Sequence, residues 1–433
     1  MEPAEQTNAS ASRFLFLLYI YPPYFGTAPV RNYNISKYLL QKSDRSFIYT
    51  TTNRPVSREA AESLGASVSF EQLPTLDYRT RIFRKKKHDH FKEIYKTNFL
   101  SQFIIKLFNS FPFQLIFSEG GLVYIFSGIY KGIKLVKKEK ITHVYSSYRP
   151  LADHYIAFAL KIVFPGLIWV ADFRDLIIEP FYKQLFFPKL HQRLYRRIFR
   201  KANVLITISD GLAKHLHYYN PRVIVVKNGI DARPEKTATL TEKFTISYTG
   251  SMFLNKRNPE PLLKVISNLL QKGVIQREKI KICYAGKDGS YWQKLCKKYN
   301  LSDLLEDKGL VSQGDAKELQ KVSNLNLLLS IASDEFEGIL TGKLVEYLEA
   351  GSPVLGINVG RTDPEVIRIL HVVNAGECFS DAEADLAGIE AFVVREYDHW
   401  LKTGYINKPV DTEALMSNFS TGNTMKELTN SIF

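Results

Sequence analysis

Three observations predict two doubly wound α/β domains. Short apolar runs alternate with amphipathic stretches, the alternation starts afresh near residue 244, and 433 residues are too many for one ordinary core. In the first series Phe14–Ile20 reads as a strand, Val30–Gln41 as a helix and Ser46–Thr51 as a second strand. Helices follow over Lys131–Lys140, Ala152–Phe164 and Leu190–Lys201, interleaved with strands at His143–Ser146, Leu167–Ala171, Val204–Thr207 and Val223–Val226. The second series runs Phe244–Tyr248 (strand), Pro259–Gln271 (helix), Ile280–Ala285 (strand), Tyr291–Tyr299 (helix), Leu310–Val311 (short strand), Ala316–Val322 (helix) and Leu325–Leu329 (strand). It closes on a helix that Gly351 stops and a buried strand at Val354–Ile357. Strands alternating with helices imply parallel sheets covered on both faces. The join between the series is expected in Ala232–Leu240.

Apolar content of 45% and aromatic content of 13% predict folding nearly throughout, with loose tails at the ends. Cys283, Cys296 and Cys378 are widely separated and odd in number, which fits neither a disulfide framework nor a zinc site and points to a reducing cytoplasm. Glu2 and Glu5 stand where a secretory signal would carry Lys or Arg, and no run of about 18 uncharged apolar residues occurs, so no spanning helix is expected. The formal charge of +14 is unevenly spread: residues 1 to 235 hold 35 Lys and Arg against 18 Asp and Glu, the remainder 23 against 26. The base concentrates in Arg84–Lys87, Lys131–Lys140 and Arg193–Lys201, with Phe108, Phe111, Phe113, Phe117, Tyr124 and Phe126 between. Cations beside exposed aromatics suit an anionic membrane surface; cations alone would also suit nucleic acid, and an ordinary solvated helix face is the plain alternative.

Asp334–Ile357, DEFEGILTGKLVEYLEAGSPVLGI, concentrates the candidate chemistry. A glycine-rich loop (Gly338, Gly342) opens a helix whose unpaired N-terminal amides offer an anion site, and Lys343 and Glu346 lie three apart on one helix face. Phosphate at the amides and Lys343, with a ribose diol at Glu346, is the reading this spacing supports. Tyr248-Thr249-Gly250-Ser251 ends a strand at the same end of the same inferred sheet, where Gly250 would let backbone approach a diphosphate and Lys256 and Arg257 would neutralise it; Ala285-Gly286-Lys287 ends a neighbouring strand. In the first half, the loop with Tyr24, Gly26 and Thr27 follows the first strand and is a candidate sugar or phosphate contact, or merely a strand stop with Pro29 starting a helix. His154 sits early in a helix after Ser146-Ser147 and could reach a sugar hydroxyl, although a lone helical histidine is more often structural. Asp172, Arg174 and Asp175 put three charges at a strand's carboxyl end, which suits substrate contact or a salt bridge.

These residues resemble the retaining nucleotide-sugar glycosyltransferases of family four. The resemblance runs over nearly the whole chain, through Pro22-Pro23-Tyr24, Ser146-Ser147, Ala171–Asp175, Ile208–Leu212, Val226–Asp231 and Tyr248-Thr249-Gly250, and is most specific at Thr341–Leu348. It implies the GT-B fold, two Rossmann-like domains facing a central cleft. It also implies an acceptor-binding domain over 1–231, a nucleotide-sugar-binding domain over 232–410, and a C-terminal helix over 411–433 that packs back toward the first domain. By resemblance Glu346 would hold the ribose, Leu340 to Gly342, Lys256 and Arg257 the diphosphate, and Val311 would lie near the base; His154 matches a sugar-contacting position. Many members carry a second glutamate eight residues before the ribose glutamate. Gly338 holds that place here, and Glu337, one place away, is the candidate for that catalytic role. Ser251 likewise stands where relatives have a basic residue.

The expectation is a cytoplasmic hexosyltransferase that needs no bound metal or other cofactor. It would take a UDP- or GDP-sugar as co-substrate and a glycan or lipid-linked acceptor from envelope polysaccharide assembly, with peripheral contact to an anionic membrane and no nucleic-acid partner. An epimerase or phosphorylase on the same fold, and a non-catalytic basic membrane- or nucleic-acid-binding protein, are the alternatives.

Overall fold

The structure, a computed structural model, describes residues 12–23, 26–53, 56, 61–65, 67–76, 99–178, 185–235, 239–252, 257–335, 337–338 and 340–433. Tyr24, Lys256 and the Arg84–Lys87 cluster lie outside them. The chain divides into two compact units. One comprises Met1–Ile208, Ala213–Val226 and Met425–Phe433; the other comprises Ser209–Leu212 and Lys227–Thr424.

The first unit is built on strands β1 (Arg13–Leu17), β2 (Arg45–Thr51), β3 (Val68–Leu73), β4 (His143–Ser147), β5 (Ile168–Phe173), β6 (Val204–Thr207) and β7 (Val223–Val225). They pair in parallel in the order β3-β2-β1-β4-β5-β6-β7. Successive side chains of a strand point to opposite faces, so Leu15 and Leu17 join Trp169 and Phe173 in one core layer while Phe14 and Phe16 join Ile48 and Val170 in the other. Helices Thr27–Leu40, Gly121–Glu139, Leu151–Val163 and Pro188–Phe199 complete the winding. The chain's last residues belong to this unit: Met425, Leu428 and Ile432 pack in the second layer, and His143 Nε2 lies 2.9 Å from the Ile432 carbonyl.

The second unit has β8 (Phe244–Thr249), β9 (Ile280–Ala285), β10 (Leu305–Asp307), β11 (Leu325–Ala332), β12 (Val354–Gly360) and β13 (Gly376–Ser380), parallel in the order β10-β9-β8-β11-β12-β13. Phe244, Ile246 and Tyr248 enter the larger core. The alternate residues Thr245, Ser247 and Thr249 are buried polar groups, bonded to Asn324, Asn326 and Gln320. The short strand expected at Leu310–Val311 is instead Leu305–Asp307: Gly309, at φ +62°, turns the chain away from the sheet, and Leu310 is left exposed. The sequence reading also passed over β3, β13, and the helices Pro364–Val372 and Leu386–Thr403.

In both sheets the strand order reverses direction once, between β1 and β4 and between β8 and β11. Doubly wound sheets bind ligands outside the carboxyl ends of their strands at such switch points. No helix among the described residues is long and apolar enough to cross a membrane.

Candidate functional site

The second unit's switch point is assembled from the loop after β8 and the helix that follows β11. At Gly250 the backbone has φ +133°, and a Cβ there would lie 2.2 Å from Lys343 Cε and 2.7 Å from its Nζ. Only glycine lets the lysine chain cross the turn this closely. Gly286, from the end of β9, is equally confined: its Cβ would lie 2.3 Å from the Gly250 carbonyl oxygen, which also accepts the Tyr284 hydroxyl at 2.9 Å. The Asp288 carboxylate fastens the turn, accepting from Ser251 Oγ at 3.0 Å and from the Met252 amide at 2.9 Å.

The helix Gly342–Ala350 starts at Thr341, an extended N-cap whose side chain makes no capping bond and whose buried Oγ1 lacks a partner among the described residues. Gly351, left-handed at φ +76°, ends it as the sequence predicts. Lys343 is half-buried and makes no ion pair or hydrogen bond among the described residues. Burial pulls its ammonium below the usual lysine range; Glu346 opposes this and the Arg257 charge adds to it. Arg257 Nη1 donates to the Ser251 carbonyl at 2.9 Å. Two cations, a glycine turn and the open amides of a helix start thus share one place, and such an arrangement attracts a multiply charged anion.

Glu346 lies one turn further on, and its Oε2 accepts from Gln320 Nε2 at 3.2 Å. Val311 packs against the small cluster of Cys283, Ala285 and Leu319. Leu340 leads into the helix, its amide bonded to the Gly338 carbonyl at 2.8 Å. Glu337 pairs with Arg361 at 2.9 Å, while the Gly338 amide donates to the buried Asp363 carboxylate at 2.7 Å. Sequence reasoning missed Gln320, although the alternation in β8 of apolar Phe244, Ile246 and Tyr248 with Thr245, Ser247 and Thr249 signals a polar face that needs partners.

The first unit's switch point is organised differently. Asp172, wholly buried at the end of β5, receives Arg31 Nη2 at 2.8 Å and Nε at 3.0 Å, and Arg31 Nη1 donates to the Val226 carbonyl at 2.7 Å. Burial pushes the Asp172 carboxyl up, but Arg31 outweighs it and holds the group below the usual carboxylate range. Arg174 Nε donates to the Tyr148 carbonyl at 2.8 Å, and Asp175 is exposed. Gly26 and Thr27, also exposed, start the helix that carries Arg31. Arg31 was not anticipated, since a lone arginine in an amphipathic stretch reads as surface.

His154 is fully buried, its ring parallel to that of Tyr148 and tilted against Phe173. Trp169 Nε1 donates to Ser146 Oγ at 2.8 Å, and that hydroxyl lies 2.7 Å from His154 Nδ1. The other ring nitrogen, Nε2, is buried and has no partner among the described residues. Burial lowers the ring to about 3, so near neutral pH it is uncharged. The neighbouring Asp153 carboxyl is pushed up to about 7 by burial, against the Tyr19 amide and Tyr124 hydroxyl that bond it. No group of three or more His, Cys, Asp or Glu able to hold a metal occurs among the described residues.

No protein-family model matches this chain, and no curated protein does. Solved structures match almost end to end. A glycosyltransferase from Rickettsia africae is 12% identical, with 98% of each chain covered and a TM-score of 0.59. A mutant of the S. aureus protein TarM, solved with fondaparinux, α-GlcNAc-glycerol and UDP, is 12% identical over 97% of this chain and 99% of that one, with a TM-score of 0.58. A putative UDP-N-acetylglucosamine 2-epimerase from Listeria monocytogenes is 11% identical over 98% and 96%, with a TM-score of 0.52. At these identities the likeness is one of fold. With the two parallel sheets it defines the class: this chain has the two-domain, Rossmann-like GT-B fold.

Proposed function

We propose that this protein is a glycosyltransferase that moves a sugar from a nucleoside diphosphate donor, UDP- or GDP-linked, to a glycan or lipid-linked acceptor, with retention at the anomeric carbon. The observation that carries this reading is the juxtaposition of Lys343 and the Gly250 turn with Glu346 one helical turn away. The diphosphate lies at Lys343, Arg257, Lys256 and the helix amides, the ribose diol at Glu346, and the base beside Val311 and Gly286.

The chemistry follows from charge. As the bond from the anomeric carbon to the diphosphate oxygen breaks, the electron pair leaves with the diphosphate, and the cations and helix start stabilise the growing negative charge. The sugar gains oxocarbenium character. An acceptor hydroxyl attacks from the face the diphosphate left, and a phosphate oxygen takes its proton. His154 serves as a neutral hydrogen-bonding partner of a sugar hydroxyl, and Glu337 supports the reacting sugar. The first unit binds the acceptor through Gly26, Thr27 and Tyr24, while Asp172 and Arg174 brace that region. No metal enters this reading.

The helix Pro188–Phe199 supports a cytoplasmic enzyme lying against an anionic membrane, the setting in which lipid-linked envelope polysaccharides are assembled. Arg193, Arg196 and Arg197 are exposed on it, Phe187 at its start is 75% exposed and Leu190 54%. From Pro180 to Ser209 the sequence has no Asp or Glu. Exposed aromatic and aliphatic groups within a basic field suit the headgroup region of such a membrane.

A thermal-shift screen against UDP, GDP, ADP and CDP tests the donor site. One nucleotide at 100 times its Kd is expected to stabilise the protein by about 2.7 kcal/mol. No shift with any of them would remove the donor site and favour a purely binding protein. Product analysis with the matching nucleotide sugar separates transfer from epimerisation.

A further inference from the structure

Glu346 is held in place by a residue that no donor chemistry requires. Gln320 comes from the helix Gln313–Lys321, is 1% exposed, and reaches two other elements with its amide nitrogen: Thr249 Oγ1 at the end of β8, at 2.8 Å, and Glu346 Oε2, at 3.2 Å. The orientation is determined by its partners. Turned the other way, the amide oxygen would face a carboxylate oxygen, two acceptors with no hydrogen between them. Both amide hydrogens are therefore used, one for each partner.

The support behind Gln320 is itself fixed. Asn326 Nδ2 donates to the Gln320 carbonyl at 3.0 Å, and Asn326 Oδ1 accepts from Ser247 Oγ at 2.9 Å. Tyr347, next to Glu346 in sequence, brings its hydroxyl to 3.4 Å from Thr249 Oγ1. The polar face of β8 thus ends in one amide that sets the rotamer of a half-buried carboxylate. Glu346 Oε1 has no hydrogen-bond partner among the described residues, and the buried Gln320 Oε1 lacks a donor as well. A buried acceptor without a donor, as at Gln320, marks where a ligand's or water's hydrogen belongs.

We propose that Gln320 is a positioning residue: it locks the Glu346 carboxylate as the acceptor for a ribose hydroxyl and so gives the site its preference for ribonucleotides over deoxyribonucleotides. The inference rests on the nucleotide-sugar reading above. A glutamate free to rotate would still attract hydroxyl groups but would lose the alignment that makes each hydroxyl count.

The test is calorimetric titration of the full chain with UDP, 2′-deoxy-UDP, GDP and 2′-deoxy-GDP, in wild type and in Gln320→Met and Gln320→Glu, with melting curves for each. Wild type is expected to bind the ribo form of its nucleotide at least about tenfold tighter than the deoxy form, the range of a hydrogen bond to a charged group. In Gln320→Met the ribonucleotide should weaken about tenfold and the deoxynucleotide, which keeps only the 3′-hydroxyl at Glu346, clearly less, so the ratio falls toward one. Gln320→Glu keeps the side-chain shape but sets two carboxylates face to face, and should lose at least as much ribonucleotide affinity, with a smaller loss for the deoxynucleotide. A variant that keeps the wild-type ratio, or weakens both forms equally, overturns the proposal and leaves the donor site standing. Wild type that binds none of the four overturns both.

Discussion

The switch points of the two sheets have the same topology and opposite electrostatics. In the first unit the charges close on each other: Arg31 and Asp172, 4% and 0% exposed, form a buried pair. In the second, Lys343 and Glu346 face neighbours that do not neutralise them, and glycine occupies the positions where a side chain would fill the space. The same strand order can therefore build a rigid platform or a charged receptacle. What decides is whether the opposite charge comes from the chain itself or is left to be supplied.

The largest effect expected from this contrast lies in the second unit. Lys343→Ala or Glu346→Ala should abolish donor hydrolysis or transfer, a loss of at least about a hundredfold in kcat/KM, while the melting temperature changes little, because neither side chain is in an ion pair. Near-normal rates in a purified preparation would sink the assignment.

In the first unit the order of effects reverses. Arg31→Leu should cost about 3–5 kcal/mol in stability, because it strands the buried Asp172 carboxylate. Adding Asp172→Leu should recover part of that loss. Urea unfolding of the single and double variants measures both, and a single variant as stable as wild type would show the pair to be dispensable.

The smallest effect is a dependence on pH. Burial holds folded His154 at about 3, whereas an unfolded histidine titrates near 6.5. Below 6.5 the unfolded chain binds a proton that the folded ring refuses, so this group's contribution falls as pH drops from about 6.5 toward 3, by up to about 1.4 kcal/mol per pH unit. Asp153, at about 7 when folded, acts in the opposite sense: its protonated form favours the fold below the unfolded value near 3.9, and that contribution is lost as pH rises through 7. Comparing wild type with His154→Gln isolates the histidine. The wild type's unfolding free energy should fall relative to the variant's as pH is lowered from 7 to 5, and a constant difference would place the ring in contact with water.

Much of this architecture could be read from local pattern. β1, β2, β4, β5, β8, β9 and β12 all fall on runs read as strands: β1 and β12 are near-continuous apolar runs, as a strand buried on both faces is, and β8 alternates apolar with polar residues. The helix at Lys343 was legible because its stop, Gly351, and the spacing of Lys343 and Glu346 are properties of a single helix. β3 was not legible: in VSFEQL only Leu73 is buried, and an edge strand has little apolar signal.

The sequence by itself determined the alternation of strands and helices, the place of the glycine turns and the residue types at Lys343 and Glu346, because each depends on neighbours within a few positions. Tertiary structure alone decided who meets whom. It joined Arg31 to Asp172 across 141 residues and placed Met425–Phe433 in the first unit. It also brought Gln320 to Thr249 and Glu346, from three separate elements. A side chain's partner depends on strand order and register, which the whole sheet sets, so a buried Gln and a surface Gln read alike until the sheet has formed.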